Sequence, residues 1–318
     1  MLRSKMKTER LAQIRSWSGG LHQWESESDT GTLLRGKHSL SEHFSKDRQS
    51  SKAVLHFLHG NGFASMSYAE MLMPLANEYD IFTQDAAGHG LSDVDKTFIG
   101  WNKTASRCLH AAQQFLPDDQ VRVGLAHSFG GCLTALMAAQ APKYFDRLII
   151  LDPALFPPRM LWLLRGMRIS GLMTQVPMVK QARRRKTSWL NKEEARRYFT
   201  GRGTFKGWTD ESLECYLDHS LRADHTGMNQ LICPPWMESA IFASYPKRLW
   251  KSLTELQVPT TIVAGKDTLP FFRQSYTHAA RVNQNIDLID VEGGHCFMME
   301  RPQETADLVL SLLKQSDI

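Results

Sequence analysis

Cysteine is scarce in this chain and odd in number: Cys108, Cys132, Cys215, Cys233 and Cys296 are scattered through 318 residues. That excludes a disulfide framework as the main source of stability and favours a reducing compartment, so the expected location is cytoplasmic. Long apolar runs are missing as well. The most apolar stretch, 148–173, is broken by Asp152, three prolines, Arg159, Arg165 and Arg168, which leaves nothing near the roughly 20 apolar residues that span a bilayer. The basic N-terminus, Met1 to Arg10, has no apolar segment behind it and reads as a solvated tail, not a secretory signal. An excess of one charge is nearly absent, since 38 Lys and Arg stand against 33 Asp and Glu for a net charge of +5. With no zinc-finger spacing and no RNA-binding aromatic motif, nucleic acid is not an expected partner. His-Glu-x-x-His and close Cys/His clusters are also lacking, so neither a metal nor a cofactor is expected.

What is present is the composition of a packed globular protein, 42% hydrophobic and 22% charged. At about 150 residues per domain, the length suits one large domain with an insertion, or two domains. Short polar-apolar alternations around Leu21–Trp24 and Thr32–Leu34, within residues 16–50, suggest edge strands or a hairpin. Ala53–Leu58, Tyr79–Thr83, Val121–Ala126 and Arg147–Leu151 are short apolar strands of the buried parallel type, separated by helical spacings over Ser67–Tyr79, Thr104–Phe115 and Cys132–Ala141. From Pro153 the alternation gives way to arginine-rich amphipathic stretches at 159–173, 192–199 and 210–221, with no convincing strand. It resumes with strands at 260–264 and 286–291 and helices at 271–282 and 302–313. The expected organisation is α/β: a mostly parallel sheet covered on both faces, built from 1–152 and 251–318, with a mainly helical cap, 153–250, inserted after the sixth strand.

The chemistry centres on Ala126-His127-Ser128-Phe129-Gly130, an apolar run leading into a serine and then small residues that open a helix. This is the layout of a nucleophile elbow, in which a tight strand-to-helix turn lifts one hydroxyl above the sheet edge. A serine needs a base to take its proton and a carboxylate to orient that base. His295, after Gly293-Gly294, follows the last strand and is the expected base. Asp267, in Gly265-Lys266-Asp267, follows a late strand and is the expected acid. Asp152, at the end of the sixth strand, is its rival, set second because a turn locked before Pro153 need not face His295. The oxyanion is expected to meet the backbone N–H groups of Phe129 and of Asn61 in His59-Gly60-Asn61-Gly62. His59, His89 and His127 are expected in structural hydrogen bonds, and Cys296 as filler beside the base.

The motifs His59-Gly60, Asp85 with Gly88 to Ser92, the elbow at Ser128, Asp267, and Gly294-His295 with Glu300 to Pro302 run in one order from about residue 53 onward. In that order the chain resembles the α/β-hydrolase superfamily of serine hydrolases with a cap, which includes esterases, lipases and carbon–carbon bond hydrolases. The resemblance implies a serine hydrolase that cleaves a carboxylic ester or related acyl bond of a small molecule through an acyl-enzyme. Superfamily members that use an elbow aspartate, the haloalkane dehalogenases and epoxide hydrolases, are disfavoured by Ser128. A carbon–carbon bond hydrolase or an acyltransferase on the same triad, or a catalytically silent scaffold, are the alternatives. Five of eight tryptophans lie in the insertion, and Trp162 and Trp236 are expected to line a pocket for an apolar portion of the substrate. The basic run Lys180 to Lys186 is expected to be a solvated face, with an anionic lipid or acidic substrate as its other possible contact.

Overall fold

The computed structural model of the chain describes residues 2–40 and 52–315. The first element departs from expectation. Helix α1 (Leu2–Gly20) takes the place of a solvated tail: Ile14 is buried beside Ala69 and Cys215, and Arg15 pairs with Glu214 and Asp218. Its Lys, Arg, Glu, Gln, Ala and Leu favour a helix. Its few apolar positions leave almost no periodic signal, and the contacts that dock it come from residues distant in the chain, Ala69 and Glu70 as well as Glu214, Cys215 and Asp218. Strands β1 (His22–Glu27) and β2 (Leu33–His38) form the expected antiparallel hairpin; residues 41–50 of that stretch lie outside the described set.

The alternating part then runs β3 (Val54–Leu58), α2 (Ala69–Leu75), β4 (Asp80–Gln84), α3 (Trp101–Phe115), β5 (Arg122–His127), α4 (Ser128–Gln140) and β6 (Arg147–Leu151). The segment that follows holds α5 (Pro158–Ile169), α6 (Pro177–Arg183), β7 (Ser188–Trp189), α7 (Lys192–Phe199), α8 (Asp210–Ser220), β8 (Leu221–Ala223), β9 (Asn229–Leu231) and α9 (Pro235–Phe242). The chain closes with α10 (Leu249–Thr254), β10 (Thr260–Gly265), α11 (Pro270–Val282), β11 (Ile286–Val291), α12 (Phe297–Glu300) and α13 (Pro302–Lys314).

Eight strands form one sheet in the order β1-β2-β4-β3-β5-β6-β10-β11, parallel from β4 onward. Each central strand is apolar on both sides because each side meets a helical layer. In β3, Val54 and Leu58 join one core with α3, α4, α10 and α11. Leu55 and Phe57 join the other with α2, α12 and α13. Between β6 and β10 the chain adds nothing to this sheet. Its segment is mainly helical as expected, yet β7, β9 and β8 form a small antiparallel sheet that the sequence pattern missed. Strands of two or three residues are too short to carry a period.

Candidate active site

Strand register sets the site. His127 on β5 pairs with Leu151 on β6, and Leu151 pairs with Val263 on β10. Ser128 and Asp152 are therefore each the first residue past adjacent, level strand ends. Of the three non-glycine residues with positive φ among the described residues, two are Ser128, at φ 51°, and Asp152, at φ 42°. Such backbone costs on the order of 1–3 kcal/mol and persists only where neighbours enforce it. At the elbow the enforcing contact is Gly130, whose N–H donates to the His59 carbonyl; a Cβ there would sit 2.4 Å from the Leu58 carbonyl oxygen. At Asp152 the N–H donates to the Val263 carbonyl at 2.7 Å.

His295 lies in the loop after β11, and its imidazole bridges the two turns. Nε2 is 2.9 Å from Ser128 Oγ and Nδ1 is 2.7 Å from Asp152 Oδ1. Asp152 is fully buried, and its carboxylate also accepts the Gly265 N–H at 2.8 Å, Tyr276 Oη at 3.0 Å and the Thr268 hydroxyl. A buried carboxylate with this many donors is fixed in orientation. Burial and this neighbouring carboxylate together raise the Tyr276 phenol, which stays a donor.

The expected acid, Asp267, is corrected here. It is exposed to solvent, with its backbone N–H on the Gly293 carbonyl, and it has no bond to His295 among the described contacts. The reason is lateral: β6 lies beside the serine's own strand, whereas Asp267 lies two residues beyond the end of β10, past the bend over which the His295 loop crosses. That crossing is close, since a Cβ on Gly265 would fall 2.4 Å from the Gly294 carbonyl oxygen. Pro153 does not turn Asp152 away; it fixes the turn that aims it, and the Pro153 carbonyl accepts Tyr276 Oη at 2.8 Å.

Two further supports hold the His295 loop, one of them His127 in the structural hydrogen bonds expected of it, although its partners were not assigned from the sequence. Glu300 accepts the Gly294 N–H and pins the glycine loop that carries His295. His127 is fully buried, which pushes its imidazole well below the ordinary value, so it is neutral. Its Nε2–H donates to the His295 carbonyl at 2.9 Å; Nδ1 must then accept, and it does so from Tyr68 Oη at 2.6 Å, which in turn accepts the Gly60 N–H at 3.1 Å. One chain of hydrogen bonds thus joins the His59–Gly62 turn to the backbone of His295. The only sequence signal for it was a histidine at a strand end with no other task.

In the His59–Gly62 turn, His59 donates from Nδ1 to the Gly60 carbonyl and accepts the Ala86 N–H at Nε2; burial lowers it to about 4. Asn61 is clamped from the inserted segment, its Nδ2 donating to the Glu238 carbonyl at 3.1 Å, while its Oδ1 is 3.3 Å from His89 Nε2. The Gly60 N–H donates to Tyr68 Oη and the Gly130 N–H to the His59 carbonyl, while among the described hydrogen bonds no backbone carbonyl takes the neighbouring N–H groups of Asn61 and Phe129. Asp85 closes the next loop by accepting the Ser65 and Leu91 N–H groups. Cys296 is buried, which pushes its thiol well up and leaves it inert.

The two expected pocket residues are both exposed to solvent. Trp162 is 72% exposed, beside the Arg165 guanidinium, and Trp236 is 42% exposed. On α9 it is Met237 that approaches the Gly88 turn and Glu238 that approaches Gly62. Phe272 lies 5.4 Å from the His295 ring, and Phe156 lies 6.1 Å from Phe272. Among the described residues no group of three His, Cys, Asp or Glu could hold a metal ion. No helix of the described residues is long and apolar enough to cross a membrane, and all five cysteines are unpaired and buried.

Residues 57–308 match the Alpha/beta hydrolase family. The chain belongs to this family. Among curated relatives, the abhydrolase domain-containing protein ACTT2 of Alternaria alternata is 30% identical over 144 residues, or 45% of this chain and 47% of that protein. The monoglyceride lipase of Mus musculus is 27% identical over 107 residues, 32% of this chain and 35% of the lipase. The chain thus spans half or less of the length of these relatives. Among solved structures, a thioesterase domain from the curacin biosynthetic pathway superposes with a TM-score of 0.68 at 18% identity, covering 92% of this chain and 99% of that domain; at that identity the likeness is one of fold. This α/β hydrolase shares with it the parallel sheet whose strand ends carry Ser128 and Asp152.

Proposed function

We propose that this α/β hydrolase is a serine hydrolase that cleaves a carboxylic ester or related acyl bond of a small molecule. The observation that carries it is the imidazole of His295 set between Ser128 Oγ at 2.9 Å and Asp152 Oδ1 at 2.7 Å. Ser128 Oγ attacks the acyl carbonyl carbon as His295 Nε2 takes its proton, and Asp152 orients the imidazole and stabilises its cationic form. The negative oxygen that develops is received by the N–H groups of Asn61 and Phe129, the latter in the first turn of α4, where unpaired N–H groups and the helix dipole favour an anion. His295 returns the proton to the departing alcohol or thiol, leaving an acyl-serine. Water, deprotonated by His295, then attacks that ester, and the proton passes back to Ser128 as the acid leaves. Residues 153–250 act as the cap, and the apolar portion of the substrate meets Phe272, whose ring lies 5.4 Å from that of His295, and Phe156 beside it.

The family relation supports hydrolysis. Two of the similar proteins are by name a monoglyceride lipase and a thioesterase domain, and both names concern acyl bonds. A fluorophosphonate probe is expected to label the folded protein, and Ser128→Ala to abolish the labelling. Folded protein that takes up no probe would instead favour a silent scaffold.

A further inference from the structure

Between Asp152 and Glu193 the sequence contains no carboxylate, while residues 153–191 hold eight Lys and Arg. That +8 exceeds the whole chain's +5, so everything else is net −3. Arg185 and Lys186 are spent on Glu238 and Glu194. Among the described ion pairs, Arg159, Arg165, Arg168, Lys180, Arg183 and Arg184 take part in none, although all six are exposed. The same segment concentrates apolar exposure. Of the twelve exposed large hydrophobic side chains among the described residues, five lie within 162–178: Trp162 at 72%, Leu163 at 63%, Ile169 at 81%, Leu172 at 51% and Met178 at 41%.

On α5 the two features share one face. Met160, Leu161, Leu164 and Met167, at helical spacing, turn inward, with Leu164 buried and the others partly so. Trp162 and Ile169, seven residues apart, project from the opposite side, flanked by Arg159 and Arg165, and the Arg165 guanidinium lies 5.7 Å from the Trp162 ring. A helix with a tryptophan and an isoleucine at the centre of its outer face and arginines along its margins has the side-chain arrangement that lies flat in a lipid headgroup region. We propose that the outer face of α5, with Leu172 beyond it, docks on an anionic lipid surface. Charge complementarity selects the occupant: unpaired arginines meet anionic headgroups while Trp162 and Ile169 enter the acyl boundary. A soluble acidic protein or a nucleic acid would satisfy the arginines but not the apolar centre. The helix starts six residues after Asp152, so the docked face would be tied directly to the site's carboxylate.

The test is flotation of the full chain with vesicles of phosphatidylcholine alone and of an equal mixture of phosphatidylcholine and phosphatidylserine, at low and high salt. Binding is expected on the mixed vesicles, with loss at high salt and little on phosphatidylcholine. The double variant W162A/I169A is expected to weaken binding by about tenfold or more. R159Q/R165Q/R168Q should weaken it and flatten the salt dependence. All five positions are exposed, so thermal melting of these variants should match the parent and a loss of binding would report the surface itself. The Ser128→Ala protein should float equally well, which separates this outcome from that of probe labelling. No flotation on mixed vesicles at low salt, or flotation indifferent to both sets of variants, would overturn the proposal. So would binding to polyglutamate or duplex DNA, or self-association removed by W162A/I169A, if either occurred without vesicle binding.

Discussion

Asp152 occupies a position where a side chain, its backbone and its successor act together. The positive φ and Pro153 turn the carboxylate under the His295 imidazole, and Gly265, Thr268 and Tyr276 fill its other acceptor sites. Replacing Asp152 by Asn would exchange an acceptor for a donor and favour the wrong imidazole tautomer. We expect Asp152→Asn to reduce kcat by about 10³–10⁴-fold and Asp267→Asn to leave kcat/KM unchanged, both read on p-nitrophenyl esters of increasing acyl length. The reverse result would return the acid to Asp267. The sequence carried both candidates, each after a strand; it could not say which strand lay beside β5, and that adjacency decides the choice.

At the scale of elements, the turn from β5 into α4 is seated against the end of β3. The space under Gly130 is occupied by two backbone oxygens, of Leu58 at 2.4 Å and of His59 at 2.6 Å from where an alanine methyl would stand. Neither can swing aside as a side-chain end would, so Gly130→Ala should force α4 and β3 apart. The expected cost is about 1–3 kcal/mol of stability, seen as a lower denaturation midpoint in urea, together with loss of probe labelling at Ser128. An unchanged midpoint with full labelling would show that the turn relaxes freely. Most elements of the core were legible beforehand, because buried strands and amphipathic helices each leave a period in the sequence. Helix α1 and the small sheet of β7, β8 and β9 were not, the first because ion pairs and one buried isoleucine dock it, the second because its strands are too short.

For the whole molecule, the notable electrostatic fact is how many histidines are buried neutral. Burial lowers His56 and His59 to about 4, His89 to about 3, and His127 well below its ordinary value. In the unfolded chain such groups titrate near 6.5, so below that pH the unfolded state binds more protons than the folded one. The stability due to their neutrality is complete above about pH 6.5 and declines as pH falls toward 4, by up to about 1.4 kcal/mol per pH unit for each histidine. Buried Asp85, raised by desolvation, acts in the opposite sense, holding its proton more readily in the folded state. Four histidines outweigh it, and the Tm measured by calorimetry should fall steadily from pH 6.5 to pH 4. A flat Tm across that interval would mean that these imidazoles protonate without unfolding.

By itself the sequence determined the alternation of strands and helices, the serine at the strand-to-helix turn and the histidine in the last loop, because each is written in local spacing and in residues with few substitutes. Tertiary structure decided what depends on lateral neighbours: the choice of Asp152, the Tyr68–His127 link to His295, and the outward turn of Trp162. A side chain's partners across a sheet edge are set by strand order and register, and those arise only when distant segments pack.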